Sequence, residues 1–391
     1  MRTELTRSNE DLSHQIGTLQ QLLGHARIPG ELTGYRSEIE AVCEELRRQV
    51  RRNLKDLSYD HPDTFENVLR QTQRVMKELE VINACYAGPL LRSREDDRLA
   101  LIVLRWLHDE HSRTARRAFA LSDGQFGIYP DLRYPSLFFL PCSRRRTLLY
   151  LPLLFHEFGH LLYAVHRPEL DELVREFQET VANVFAPPTR RQGSTAVQQD
   201  TFQAQLVLAC YSWCQEFFCD AVGLRIGGPC FLKAFANYFR LQGTHAFYVP
   251  REKLILREHP VGWLRVHSLL RRADRMGFED VAAKIQTDWN ATARLLKLTE
   301  DYEGTWSEEL SGPLDKMLDD MLVEAGPRGV TPQEAAATEL AASSGIIGLL
   351  NASWHRFEQD SNAYTKQEPL AIALVEAGTS VNRTESSPGV V

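Results

Sequence analysis

Apolar residues recur three and four apart through the first 120 residues, as in Ile39, Val42, Cys43, Leu46 and Val50 and again in Leu99, Ile102, Val103, Trp106 and Leu107. That period gathers them on one side of an α-helix, so the pattern predicts a helical N-terminal region over 1–120. Breaks are expected at Ile28-Pro29-Gly30, His61-Pro62-Asp63 and Gly88-Pro89, where proline and glycine punctuate the pattern. Between Gly124 and Pro135 the texture changes, and Ser136 to Pro141 is a short apolar run bounded by prolines, which predicts a strand. Leu148 to about His166 predicts a buried helix that starts near Pro152, whose missing N–H is harmless in a first turn.

The polar stretch 186–199 predicts a loop. A second long helix should follow, with Phe202, Leu206, Ala209, Trp213, Phe217 and Leu224 on one stripe, until Gly227-Gly228-Pro229 stops it. Short helices are expected to about 300, then a weakly amphipathic helical region over 301–377 with a loop at Gly326 to Gly329. The Ser/Thr/Gly/Pro tail over 378–391 predicts disorder.

Composition narrows the classes. Of 391 residues 43% are apolar and 25% charged, which excludes wholesale disorder. With 45 Lys and Arg against 52 Asp and Glu the net charge is −7, so nucleic acid is not expected as a partner. Arginines at 144–146 read as a solvated turn, with an acidic substrate as the rival reading. No apolar signal segment opens the chain, and the greasiest stretch, Leu148 to Val165, carries His156, Glu157 and His160, so no membrane insertion is expected. Seven cysteines without framework spacing suit a reducing, cytoplasmic setting.

Those three polar residues form His156-Glu157-Phe158-Gly159-His160, the pattern HExxH on a helix. A spacing of four brings both imidazoles to one side, about 6 Å apart along the axis, which suits a tetrahedral zinc ion. Glu157 falls on the flank, where it can take a proton from water that zinc has acidified to a pKa of roughly 7. Burying three ionisable groups among Leu153, Leu154, Phe155, Leu161 and Leu162 is costly unless a metal compensates them. A third protein ligand is needed, and two candidates present themselves. Glu216 shares a helix face with Asp220, so one carboxylate can ligate while the other orients an imidazole. His166 is the rival, and it requires a backbone reversal at Tyr163 that tyrosine disfavours. Cys210 and Cys214 have ligand-like spacing but read as small buried hydrophobes, and His108 and His111 as satisfied helix histidines.

HExxH followed by a helix carrying ExxxD resembles the gluzincin metallopeptidases. His259-Pro260 with Arg265 is similar to the HP-x4-R segment of the HtpX-like and CAAX prenyl protease group. The resemblance covers roughly 135–267, and it departs from well-known members in showing no membrane helices and in having Val261 after Pro260. It implies a zincin-like core in which His156, His160 and Glu216 hold one Zn2+ per chain. It further implies Glu157 as the base, Asp220 as the orienting carboxylate, and His259 and Arg265 beside the reacting peptide.

The expectation is therefore a predominantly helical α+β protein with a small, mainly antiparallel sheet beside the HExxH helix. The strand at Ser136 to Pro141 would then be the edge that receives an extended peptide. Domains are expected at 1–120 (helical), 121–300 (catalytic) and 301–377 (helical). The expected function is a zinc peptidase, a selective endopeptidase acting on a protein or peptide, with a regulatory protein partner on the helical regions. The alternatives are a hydrolase of a non-peptide amide and an interaction protein with a structural zinc. His259 is the favoured donor to the oxyanion, ahead of His245, Tyr248 and His267.

Overall fold

The computed structural model describes residues 1–59, 61–185, 195–247, 249, 253, 258–298 and 305–385, with side chains apart from those at 195–202, 245 and 378–385. Of the loop expected over 186–199, 195–199 are instead helical, the start of the long helix Thr195–Gly227, and 186–194 lie outside the described residues, as do Tyr248 and the His245 side chain. The chain is mostly helical with one small sheet, and it divides into two compact units. One comprises Met1–Arg105 with Arg116–Arg146, the other Trp106–Ala115 with Thr147–Val391.

In the first unit, α1 (Arg2–His25), α2 (Thr33–Asp56) and α3 (Pro62–Val81) bury the stripes that the sequence period marks, including Ile16 and Leu23, Ile39 and Leu46, and Val75 and Leu79. One polar layer crosses that core. Asn9 Nδ2 donates to Thr72 Oγ1 (2.9 Å) and Asn53 Nδ2 to Asn9 Oδ1 (3.0 Å). A slip of any helix would leave these buried amides unpaired, so the layer fixes the register of all three. After α4 (Gly88–Leu91), α5 (Arg98–Asp109) runs from the first unit into the second.

The sheet also belongs to the first unit. Strands β1 (Phe119–Asp123), β2 (Gly127–Tyr129) and β3 (Ser136–Leu140) are ordered β1-β3-β2, with β1 parallel and β2 antiparallel to β3. The sheet is thus mixed rather than mainly antiparallel. Ser136 to Leu140 is its middle strand, paired on both sides, and is not a free edge for a peptide. The run Leu137-Phe138-Phe139-Leu140 lacks polar alternation because a central strand is covered on both faces. Arg145 is likewise not a solvated residue. It is buried, ion-paired to Asp97 and, at 2.6 Å, to Asp123, while Arg146 meets Asp96 at 3.0 Å.

The second unit is built on helices alone among the described residues. A 3-10 turn at Leu151–Leu153 holds Pro152 and leads into α6 (Leu154–Val165) and α7 (Arg167–Val184). Then come α8 (Thr195–Gly227), α9 (Pro229–Arg240), α10 (Gly262–Arg275), α11 (Glu279–Leu295), α12 (Ser311–Ala325), α13 (Pro332–Ala335), α14 (Gly345–Gln359) and α15 (Ser361–Glu385). Of the tail read as disordered from Gly378, the backbone is helical to Glu385 and the remainder lies outside the described residues. Two C-terminal helices pin the segment that feeds α6. Glu368 Oε1 accepts from Thr147 Oγ1 (2.8 Å) and from the Leu148 amide (3.0 Å), and Trp354 Nε1 donates to the Leu149 carbonyl (2.8 Å). The Trp354 bond is buried and the two to Glu368 are half-buried, and bonds shielded from water cost more to break than they contribute when made, so the entry to α6 is held firmly. No helix among the described residues is long and apolar enough to cross a membrane.

Candidate metal centre

The centre forms where α6 and α8 touch. Gly159, inside the HExxH pattern, makes the contact possible: a Cβ there would lie 2.7 Å from the Cys219 Cα and 3.2 Å from its Sγ. Only a residue without a side chain lets the two backbones come this close. Because Cys219 follows Glu216 by three positions and precedes Asp220 by one, the close crossing sets both carboxylates against the imidazoles of α6.

Glu216 is 4% exposed and spans the two histidines. Its Oε2 lies 3.5 Å from His156 Nε2, and its Oε1 lies 3.5 Å from His160 Nε2. The rings of His156 and His160 meet edge to face, with centroids 5.0 Å apart. Ligand-bearing atoms of His156, Glu157 and His160 all lie within 4.8 Å of one another, so this cluster could hold a metal ion. His156 Nδ1 stands 2.8 Å from Asp220 Oδ1, close enough to donate its proton there, which leaves Nε2 as the lone-pair nitrogen. Arg265 Nη2, 3.4 Å from the same Nδ1, can only donate and does not compete for that proton.

Arg265 serves the carboxylates instead. It donates from Nε and Nη2 to both oxygens of Asp220 (2.8 and 2.6 Å), and its Nη1 lies 3.0 Å from Glu216 Oε2. Its guanidinium is 5.1 Å from the Phe235 ring centroid and 5.0 Å from that of Phe239, so aromatic faces from α9 complete its burial. The resemblance put Arg265 beside a peptide; at 4% exposure, with two carboxylates bound, it is an internal counter-ion. His259, by contrast, is exposed, and its Nδ1 lies 3.0 Å from Glu216 Oε1.

The electrostatics follow from burial and these pairs. Burial raises the Glu157 pKa to about 7, helped by Glu216 and opposed by His156. Burial also lowers His160, to about 4, with His156 and Arg265 adding repulsion. For His156 the cost of burial is outweighed by Asp220, and its proton affinity rises. Burial alone would raise Glu216, but Arg265, His259 and both imidazoles hold it well below the usual carboxylate range. A neutral His160 and an ionised Glu216 are the forms that bind metal.

The rival ligand is elsewhere. His166 terminates α6, is 4% exposed, and packs edge to face on His111 at 5.5 Å. Among the described residues neither His166 nor Glu216 belongs to the metal-competent cluster of His156, Glu157 and His160, but Glu216 lies 3.5 Å from both imidazoles. Cys210 and Cys214 are buried with their sulfurs 3.8 Å apart. His108 Nδ1 and His111 Nε2 meet the carbonyls of Thr114 and Ala325, but the second nitrogen of each ring is buried without a hydrogen bond, so these histidines are only partly satisfied. Sequence reasoning missed Gly159, and it missed the Phe235 and Phe239 faces, although their spacing of four on α9 was visible. Comparison with known proteins gives no matching family model, no matching curated protein and no matching solved structure.

Proposed function

We propose that the protein is a zinc-dependent peptidase, with His156, His160 and Glu216 as metal ligands and Glu157 as general base. The observation that carries this reading is the pair of 3.5 Å separations between Glu216 oxygens and the two Nε2 atoms. Ligands held about 2.0–2.1 Å from a tetrahedral zinc stand about 3.4 Å from one another, so these donors fit with little movement. Glu216 Oε2 is buried and accepts no hydrogen bond, its contact with Arg265 being an ion pair without alignment. A metal would satisfy that orphaned oxygen.

A bound zinc ion would supply Lewis acidity, lowering the pKa of a water and polarising a scissile carbonyl. Glu157 takes the proton of the attacking water on its carboxylate and passes it to the leaving nitrogen. A carboxyl whose pKa is raised to about 7 is suited to both transfers near neutrality. Asp220 fixes the tautomer and orientation of His156 through Nδ1. Arg265 keeps Glu216 and Asp220 from standing as uncompensated buried charges. His259, exposed above Glu216, is the candidate donor to the developing oxyanion. A purely structural zinc prefers four protein ligands and has no use for a buried base, which disfavours the interaction-protein alternative.

The substrate class we infer is a protein or peptide, cut by a selective endopeptidase. The experiment is a survey of new N-termini in a proteome treated with wild type or with Glu157→Gln. New termini with wild type alone, at equal metal content, support the reading. The same termini with both proteins contradict it.

A further inference from the structure

Glu216 has two oxygens to offer a metal, and each stands beside a different imidazole. Oε2 is 3.5 Å from His156 Nε2 and Oε1 is 3.5 Å from His160 Nε2, so the carboxylate straddles the two rings. That placement alone suits binding through one oxygen and chelation through both equally well. The two modes differ in consequence. A hydrolytic zinc takes three protein donors and keeps one position for water, and a second carboxylate oxygen competes for that position.

His259 makes the two oxygens unequal. Its Nδ1 lies 3.0 Å from Oε1, and the ring hydrogen-bonds the carboxylate there. Oε2 receives no hydrogen bond among the described residues, since the Arg265 guanidinium beside it is unaligned. A bond from an imidazole N–H to a carboxylate is charge-assisted and about twice as strong as a neutral one. It occupies a lone pair of Oε1 and draws electron density from that atom, which leaves Oε2 as the better metal donor.

Although the ring is exposed, its backbone is firmly seated. His259 precedes a proline, which disfavours the helical region for it, and Pro260, Val261, Gly262 and Trp263 after it are all buried. Gly262 lets the start of α10 press on its neighbours: a Cβ there would lie 2.7 Å from Phe239 Cδ1 and 3.2 Å from the Ala246 carbonyl oxygen. The Phe239 ring also flanks the Arg265 guanidinium, 5.0 Å from its centroid. Packing of α10 on α9 therefore carries both His259 and Arg265 to Glu216, one to each oxygen.

We propose that His259 is a positioning residue for Glu216, engaging Oε1 so that Oε2 alone is presented to the metal and one coordination position stays open. This rests on the reading of His156, His160 and Glu216 as ligands. It leaves Nε2 for the oxyanion, since the doubly protonated ring donates from both nitrogens. Zinc is d10 and gives no visible spectrum, so the test is titration of Co2+ into metal-free wild type, His259→Ala and His259→Asn, without substrate. Four-coordinate cobalt absorbs visible light several-fold more strongly than five-coordinate cobalt, so the band reports the geometry. Asparagine carries an amide N–H close to the place of imidazole Nδ1 and is the rescue variant. The expected result is a strong band at one equivalent for wild type and His259→Asn. At equal occupancy His259→Ala should show a several-fold weaker band, as Glu216 turns to chelation. Equal bands in wild type and His259→Ala, no recovery in His259→Asn, or a weak band in wild type overturns the proposal and leaves the ligand assignment standing. Loss of cobalt binding in His259→Ala also overturns it, in favour of His259 as a ligand itself. Wild type that binds no cobalt contradicts the ligand assignment, and the proposal falls with it.

Discussion

Replacing Gly159 by alanine tests how the two motif helices are brought together. In an exposed helix interior this change stabilises by about 1 kcal/mol, because glycine is the poorer helix former. Here the new methyl would lie 2.7 Å from the Cys219 Cα and 3.0 Å from its Cβ. Carbon atoms in contact prefer roughly 3.5–4.0 Å, so α6 and α8 must part by about 1 Å. The obstacle is backbone, which cannot rotate aside. Overpacking of this kind costs about 1–3 kcal/mol, so after the propensity gain the expected net change is a loss of up to about 2 kcal/mol. For a unit of this size that is a fall in Tm of up to roughly 6 °C. The same parting moves Glu216 away from both imidazoles, and metal affinity should fall about tenfold or more, the scale that small displacements of supporting groups produce. Gly17→Ala on α1, where nothing lies within 4 Å of the added Cβ, is the control and should be neutral or stabilising. Thermal denaturation with and without chelator and a competitive metal titration read both effects. A Gly159→Ala protein as stable as wild type with unchanged metal affinity would refute the reasoning.

Two further outcomes follow from the charges of the site. In metal-free protein the Glu157 pKa rises from 4.5 to about 7 on folding, so the folded state holds the proton more tightly; its contribution is fully present below pH 4.5 and is lost as pH rises through 7. Wild type should therefore lose about 2–3 kcal/mol relative to Glu157→Gln between pH 5 and pH 8, by urea denaturation in chelator; parallel profiles would contradict this. Asp220→Asn should weaken metal binding about 10–100-fold, because an amide can turn its NH2 toward His156 Nδ1 and Arg265, and metal affinity equal to wild type would remove Asp220 from the centre.

What could be read from the sequence was what the chain encodes locally. His156 and His160 share a face because they are four apart, and Glu216 and Asp220 betray themselves as carboxylates in an apolar helix. Each of these inferences needs only the helical period. The partners of Arg265 could not be read the same way. It lies 45 residues from Asp220 along the chain, and only the packing of α10 on α8 decides that it faces carboxylates and not a peptide. Gly159 gave no local signal either, since its value lies in a neighbour 60 positions away. Ser136 to Leu140 was legible as a strand, but its central place depends on pairing with both β1 and β2. Arg145 looked solvated because Asp97, its buried partner, is 48 residues distant.

The central claim is that two imidazoles of α6 and one carboxylate of α8 hold a single zinc ion. Calorimetric titration with Zn2+, run on wild type, Glu216→Ala and His166→Ala, tests it most directly. The account predicts one equivalent for wild type and for His166→Ala, with Glu216→Ala binding at least about 100-fold more weakly. Full binding by Glu216→Ala with loss in His166→Ala would contradict it.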